Sequence, residues 1–151
     1  MADVTPTFDP MSAGTELPWL PVGRIVNIDG RGEFFIREHR HADLTTPTVV
    51  LLHGWTASSD LQFFTAYEAL AERCSFIGID HRGHGRGLRS PAAFTLEDVA
   101  DDVAAVLRHL GATNVIAIGY SMGGPIGMLL ARRHPALVAG IIAQATALEW
   151  S

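Results

Sequence analysis

The segment Val115-Ile-Ala-Ile-Gly-Tyr-Ser-Met-Gly-Gly-Pro-Ile-Gly-Met128 joins a strand pattern directly to a helix pattern. An apolar run rich in β-branched residues leads into Gly119-Tyr-Ser-Met-Gly123, and a helical pattern follows at once. This order predicts a sharp strand-to-helix turn that holds the hydroxyl of Ser121 clear of the backbone. Gly119 and Gly123 fit such a turn because strand and helix leave little room for a Cβ, and Ser121 is predicted to be strained. The alternative is a plain turn that contains a serine.

Length and composition limit the class of protein. The chain has 151 residues, 48% of them hydrophobic and 18% charged, which favours one folded domain over a disordered chain. A net charge of −5 argues against nucleic acid or an anionic membrane as the main partner. Since no apolar run is long enough to span a bilayer and no signal peptide is recognisable, we expect a cytoplasmic protein. Cys74 is the single cysteine, so an internal disulfide is excluded.

The chain reads as a loose leader followed by alternating strands and helices. Residues 1–21 hold four prolines without periodicity, and they predict the leader. Apolar runs predict strands at 22–28, 33–40, 47–52, 74–79, 114–119 and 138–146, the last of them buried. Amphipathic patterns predict helices at 61–73, 96–110 and 122–133, with Thr95 as an N-cap. The first two strands form a hairpin and the rest a mainly parallel sheet with helices on both faces.

Three glycine-containing loops follow successive buried strands. They cover residues 53–56, 80–87 and 119–123. Ligands of parallel α/β sheets bind beyond the carboxyl ends of the strands, so all three loops are predicted to lie on one functional rim.

These loops carry a family resemblance. With His53-Gly54-Trp55, Asp80-x-Arg82-Gly83-x-Gly85 and Gly119-x-Ser121-x-Gly123, the chain resembles the α/β-hydrolase family over nearly everything from residue 22 onward. The resemblance implies that residues 22–151 form the N-terminal part of such a domain, with about six of eight core strands and without the lid and the last strands.

The resemblance also implies a mechanism. Ser121 would be the nucleophile that attacks a small-molecule ester or related acyl substrate, and the backbone N–H groups of Trp55 and Met122 would form the oxyanion hole. His53, Gly54, Gly119 and Gly123 would be structural, and neither a metal nor an organic cofactor is implied. Carbon–carbon bond hydrolases, cofactor-free haloperoxidases and a non-catalytic binding protein of the same fold remain alternatives.

The acid and the histidine that a serine nucleophile needs are not recognisable. His134 lies at the far end of the helix after Ser121, about 20 Å away at 1.5 Å per residue. His53, His81 and His84 belong to the predicted rim, but none follows Ser121, where the family places its base. Glu149 is the only late candidate acid.

We therefore expect a fragment that is inactive alone, with a sheet edge open to a missing C-terminal half or to self-association. Two further groups of side chains need interpretation. His39 and His41 suit an exposed strand end better than a metal site. Trp55, Phe63, Phe64 and Tyr120 indicate an apolar pocket or core.

Overall fold

A computed structural model describes residues 18–146. Most of the predicted leader and the candidate acid Glu149 lie outside the described residues. Six strands form one sheet in the order β1-β2-β4-β3-β5-β6. They span Val22–Ile28 (β1), Gly32–His39 (β2), Thr48–Leu52 (β3), Ser75–Ile79 (β4), Val115–Tyr120 (β5) and Val138–Gln144 (β6). β1, β2 and β4 pair antiparallel, whereas β4, β3, β5 and β6 run parallel, so the prediction of a mainly parallel sheet is confirmed.

Helices cover both faces of the sheet, as predicted. Their bounds are Ser59–Phe63 (α1), Tyr67–Ala71 (α2), Leu96–His109 (α3) and Gly123–Arg133 (α4). α3 and α4 pack on the face that carries Val50 and Leu52, and α1 and α2 pack on the opposite face. Thr95 caps α3, because its side chain accepts a hydrogen bond from the N–H of Asp98 at 3.1 Å.

The prediction of one helix over 61–73 is wrong. A turn at residues 64–66 separates α1 from α2, and within it the N–H of Ala66 donates to the carbonyl of Phe63 at 2.8 Å. The restarted helix buries Tyr67, whose hydroxyl lies 2.9 Å from Ser59 Oγ. A buried hydroxyl needs a hydrogen-bond partner, and the contact of Tyr67 with Ser59 provides it. This contact outweighs the local preference for one continuous helix.

The prediction that the last strand is buried is also wrong. Every residue of β6 from Ile141 to Gln144 is exposed, and Ile142 retains 47% of its accessible surface. β6 is the edge of the sheet among the described residues, with β5 on one side only. The apolar pattern indicates that a strand is able to be buried. Whether it is buried depends on the strands and helices that pack beside it.

The register places the three candidate loops together. Leu52, at the end of β3, pairs with Ile79 at the end of β4 and with Gly119 near the end of β5. The loops that follow therefore share one rim, with the β3 loop between the other two.

Candidate active site

Ser121 lies at the turn between β5 and α4 with a backbone φ of 51°. This left-handed conformation is disfavoured for a residue with a side chain, so local contacts must hold it. The N–H of Ser121 donates to the carbonyl of Gln144 at 2.9 Å, and its carbonyl accepts from Gly124 N–H at 3.0 Å and from Thr146 Oγ1 at 2.8 Å. The serine is partly exposed, so its hydroxyl is accessible from the rim.

Gly119 and Gly123 leave no space for side chains, as the sequence predicts. A Cβ at Gly119 would collide with the carbonyl of Gly123, and a Cβ at Gly123 would collide with the carbonyl of Leu52. Gly54 lies against the same turn, since a Cβ built there would be 3.4 Å from Ser121 Cβ. The turn therefore packs so closely against β3 and its loop that side chains do not fit between the two backbones.

His53 connects the β3 loop to the β4 loop. Its Nδ1 lies 2.8 Å from the carbonyl of Gly54, and its Nε2 lies 3.0 Å from the N–H of His81. A carbonyl only accepts and a backbone N–H only donates, so the ring must be neutral with its proton on Nδ1. Complete burial lowers the pKa of His53, in agreement with a neutral ring. Both nitrogens are occupied, so His53 has no lone pair left to act as a base.

The His53 contact fixes the peptide group between Gly54 and Trp55. In a trans peptide the carbonyl and the N–H point in opposite directions, and the described residues contain no cis bond. With the Gly54 carbonyl held by His53, the Trp55 N–H points away from that ring. The N–H groups of Trp55 and Met122 both lack an acceptor among residues 18–146. They belong to the two loops that meet at Ser121 and are available to a ligand.

His81 is buried beside His53 without hydrogen bonds to its side chain. The two rings lie 4.1 Å apart between centroids, and both ring nitrogens of His81 lack a partner within the described part of the chain. Burial lowers the pKa of His81 well below its ordinary value, and the neighbouring His53 acts in the same direction. The sequence carries no signal for this unpaired ring.

Asp80 organises the β4 loop through hydrogen bonds. The buried carboxylate accepts from the N–H of Ser59 at 2.8 Å and from the N–H and Nε of Arg86 at 2.9 and 3.1 Å. Arg82 points instead to α3, where its Nε donates to Asp102 at 2.6 Å. Together the two side chains attach the loop to both layers of helices.

No histidine in residues 18–146, a range that includes all seven, hydrogen-bonds to the Ser121 hydroxyl. His84 binds the carbonyl of Arg82 through Nδ1 at 3.0 Å. His134 lies at the far end of α4 with Nε2 2.7 Å from Asp101 Oδ1, where the sequence places it. Within this range the hydroxyl of Ser121 has no histidine partner.

The described residues contain neither a metal-binding cluster nor a helix that could cross a bilayer. His39 stacks on Phe76 and His41 contacts Asp43, and no three potential ligands converge on a metal position in this part of the chain. No helix in the same range has both the length and the apolar character for crossing a membrane.

The aromatic residues predicted to form a pocket or core lie in different places. Phe63 belongs to the core under α1 and α2, whereas Trp55 is 59% exposed. Trp55 lies with His84 and Phe94 along a cleft of about 380 Å³ on the rim. The sequence predicts His84 on the rim, but nothing in it indicates that the ring meets Phe94, which belongs to no recognisable motif.

Comparison with known proteins places this geometry in a family. The family described as "alpha/beta hydrolase fold" matches residues 47–151. The chain is 31% identical over 97 residues to a 2-(acetamidomethylene)succinate hydrolase of Mesorhizobium japonicum, covering 64% of the chain and 34% of the relative. It is 34% identical over 89 residues to a bifunctional esterase/perhydrolase of Acinetobacter calcoaceticus, covering 59% and 32%.

Solved structures agree with the sequence relatives. That of an N-acyl homoserine lactone degrading enzyme superimposes with a TM-score of 0.71 at 29% identity, covering 82% of this chain and 45% of the other. The chain spans about a third of the length of the curated relatives it matches. The protein belongs to the α/β-hydrolase fold family.

Proposed function

We propose that Ser121 is the nucleophile of a serine hydrolase that cleaves a carboxylic ester or a related acyl compound. The observation that carries the proposal is the backbone of Ser121, held at a φ of 51° between two glycines that have no room for a side chain. Such strain is kept where a function depends on it. The names of the relatives, which include an esterase/perhydrolase and a lactone-degrading enzyme, support acyl chemistry.

The reaction would begin with attack of Ser121 Oγ on the carbonyl carbon of the substrate. The carbonyl oxygen then carries a negative charge, which the unpaired N–H groups of Trp55 and Met122 would stabilise. Collapse of this intermediate expels the alcohol and leaves an acyl-serine, which water hydrolyses to the acid and free Ser121. His53 would be a positioning residue that directs the Trp55 N–H.

The base would come from outside residues 18–146. The Ser121 proton must pass to a base during attack, and in the described part of the chain no ring nitrogen reaches the hydroxyl. The exposed edge of β6 ends beside Ser121, because Gln144 accepts from its N–H and Thr146 donates to its carbonyl. We propose that a segment docked on this edge supplies both the acid and the histidine.

A cysteine at position 121 tests the nucleophile without needing the base. A thiol of ordinary pKa, about 8.5, is partly ionised at mildly alkaline pH and attacks esters unaided. Ser121→Cys should form an acyl-thioester with nitrophenyl acetate at least about ten times faster than wild type forms an acyl-serine. Intact-mass spectrometry with peptide mapping measures the adduct.

The Ser121→Ala variant is the matched control. It retains Cys74, which is buried with a pKa raised by desolvation and should remain unmodified. Acylation of the Ser121→Cys variant no faster than that of an unstructured cysteine peptide would contradict the proposal. That result would favour a non-catalytic binding protein of the same fold.

A further inference from the structure

We propose that the cleft formed by Trp55, His84 and Phe94 is a subsite for a planar aromatic ring of the acyl substrate, in particular a ring that carries a hydroxyl. This inference rests on the proposed function of Ser121 and names the class of substrate. Nothing in the sequence pattern assigned a role to Phe94 or to the side chain of His84.

Three aromatic side chains form one wall of the cleft. The Trp55 ring lies 5.3 Å from Phe94 at an interplanar angle of 85° and 4.9 Å from His84 at 75°. His84 and Phe94 lie 5.5 Å apart. Because both neighbours meet Trp55 edge to face, the indole is held in orientation although 59% of its residue surface is exposed. A fixed, exposed indole offers a stacking surface to another ring.

The rest of the cleft lining consists mainly of small residues. Gly83 and Gly85 line it together with Ala57. A closed apolar cavity of roughly 150 Å³ is sufficient for benzene, and this open cleft measures about 380 Å³. One substituted ring therefore fits, with space for the bond that joins it to the ester.

His84 adds one polar contact inside the cleft. Its Nδ1 lies 3.0 Å from the carbonyl of Arg82, which can only accept, so in the neutral form of the ring the proton is on Nδ1. Its Nε2 is then an acceptor without a hydrogen-bond partner in the described residues. A hydroxyl on the bound ring would donate to this nitrogen, which favours a phenolic ring over a plain one.

The cleft adjoins the reacting group through the backbone. Gly54 packs against Ser121, and the next residue, Trp55, supplies both the proposed oxyanion donor and the main wall of the cleft. On this proposal, one substrate molecule would place its ring on Trp55 and its carbonyl at Ser121.

Titration with small probes tests the subsite independently of catalysis. We expect p-cresol to shift the indole N–H resonance of Trp55 in ¹H–¹⁵N spectra of the 151-residue protein, assigned with Trp55→Phe. The saturated analogue 4-methylcyclohexanol should bind roughly 2- to 10-fold more weakly, since it lacks ring–ring contacts. 4-Methylanisole, which has no donor, should bind weaker than p-cresol by a similar factor. Trp19, which contacts His39 at the opposite rim, is the internal reference.

Two variants separate the contributions of the wall. Phe94→Leu should reduce the preference for p-cresol over 4-methylcyclohexanol, and His84→Phe should abolish the preference for p-cresol over 4-methylanisole. Equal affinities for all three probes, or shifts no larger at Trp55 than at Trp19, would overturn the inference.

Ser121→Ala distinguishes this inference from the proposed function. It should bind p-cresol as wild type does, because the hydroxyl of Ser121 is not part of the cleft. Probe binding at Trp55 without acylation of Ser121→Cys would support the subsite and reject the nucleophile. Acylation without probe binding would do the reverse.

Discussion

The two strands that flank β5 differ sharply in their surroundings. On one side, β3 is buried from Val49 to Leu52, and its loop lies against Ser121 at backbone distance. On the other side, β6 is exposed from Ile141 onward, and only Gln144 and Thr146 hydrogen-bond to the turn. The β3 side thus packs tightly against Ser121 and carries the candidate oxyanion donor Trp55, whereas the β6 side hydrogen-bonds to the backbone of Ser121 and offers an open edge.

This difference explains why the turn and the candidate oxyanion donors are in place while no base reaches Ser121 within the described residues. The position of Ser121 depends on its tight glycine turn, on packing against the β3 loop and on hydrogen bonds of its backbone with Gln144 and Thr146. The orientation of the Trp55 N–H depends on contacts between the β3 and β4 loops. A base needs a side chain that approaches Ser121 from elsewhere, and the open β6 side is where space remains for it. We infer that the two halves of the mechanism are contributed by the two sides of β5.

The largest expected effect comes from the glycines at the start of α4. Gly123→Ala forces a Cβ into the carbonyl of Leu52 on the β3 side and should cost roughly 3–5 kcal/mol of unfolding free energy. Gly124→Ala is the matched control, since its Cβ meets the side chain of Thr146 on the β6 side, 2.6 Å away at Cγ2. Thr146 follows the open edge and is not part of an internal strand, so we expect a smaller cost of about 1–2 kcal/mol, which includes loss of its hydrogen bond to the Ser121 carbonyl.

Urea unfolding of both variants measures the difference. Equal losses of unfolding free energy in Gly123→Ala and Gly124→Ala would show that the β3 side accommodates an added Cβ as easily as the β6 side does. That outcome would contradict the inference that β3 packs more tightly against the turn than β6 does.

The next effect concerns the two stacked histidines of the β3 and β4 loops. His53→Leu leaves the Gly54 carbonyl and the His81 N–H without partners and should cost about 2–4 kcal/mol. His81→Leu removes a buried ring whose nitrogens have no partner, so it should be neutral or stabilise by up to about 1 kcal/mol. Denaturant unfolding near neutral pH checks both signs. A loss for His81→Leu as large as that for His53→Leu would contradict the assignment of hydrogen bonds.

The same histidines predict how stability depends on pH. Burial lowers both pKa values in the folded state, so the unfolded chain binds protons first as the pH falls below about 6.5. The free energy of unfolding is therefore independent of these two rings above that pH and decreases below it, by at most about 1.4 kcal/mol per pH unit for each ring. His81→Leu should show a shallower decrease than wild type in unfolding midpoints measured between about pH 7.5 and pH 5. An unchanged slope would indicate that His81 is not buried as a neutral ring.

The smallest effect on stability is expected at the β6 edge. Ile142→Lys, at a residue that is 47% exposed, should change the unfolding free energy by less than about 0.5 kcal/mol. It should nevertheless reduce concentration-dependent self-association, because β6 carries no charged residue to protect its free edge. Sedimentation velocity over a concentration series measures this.

The opposite edge of the sheet supplies the control. β1 already contains Arg24, and Val22 on the same strand is 73% exposed. Val22→Lys should therefore leave association unchanged. An equal reduction by Val22→Lys, or a wild-type protein that stays monomeric throughout, would reject β6 as the associating edge.

Much of the fold could be predicted from the sequence because its signals are local. The run from Val115 to Ile118 and the glycines that follow define the strand and the turn within one residue, and Thr95 marks the start of α3. The break between α1 and α2 could not be predicted, since it depends on the contact of Tyr67 with Ser59. The exposure of β6 depends likewise on what lies beside it.

The candidate site was predictable to a similar extent. Ser121 and its glycines follow from the motif, whereas the two hydrogen bonds that fix the tautomer of His53 join residues of two separate loops. The pairing of Trp55 with Phe94 also joins distant parts of the chain and has no periodic signal.

Labelling of the wild-type 151-residue protein with a fluorophosphonate measures whether Ser121 is activated by a base. The probe reacts with a serine that a base has activated. We predict no adduct at Ser121 under conditions in which an intact serine hydrolase is labelled completely, because no base reaches its hydroxyl within residues 18–146. Stoichiometric labelling of Ser121 that is absent in Ser121→Ala would contradict the account, since it would demonstrate a working base within the chain.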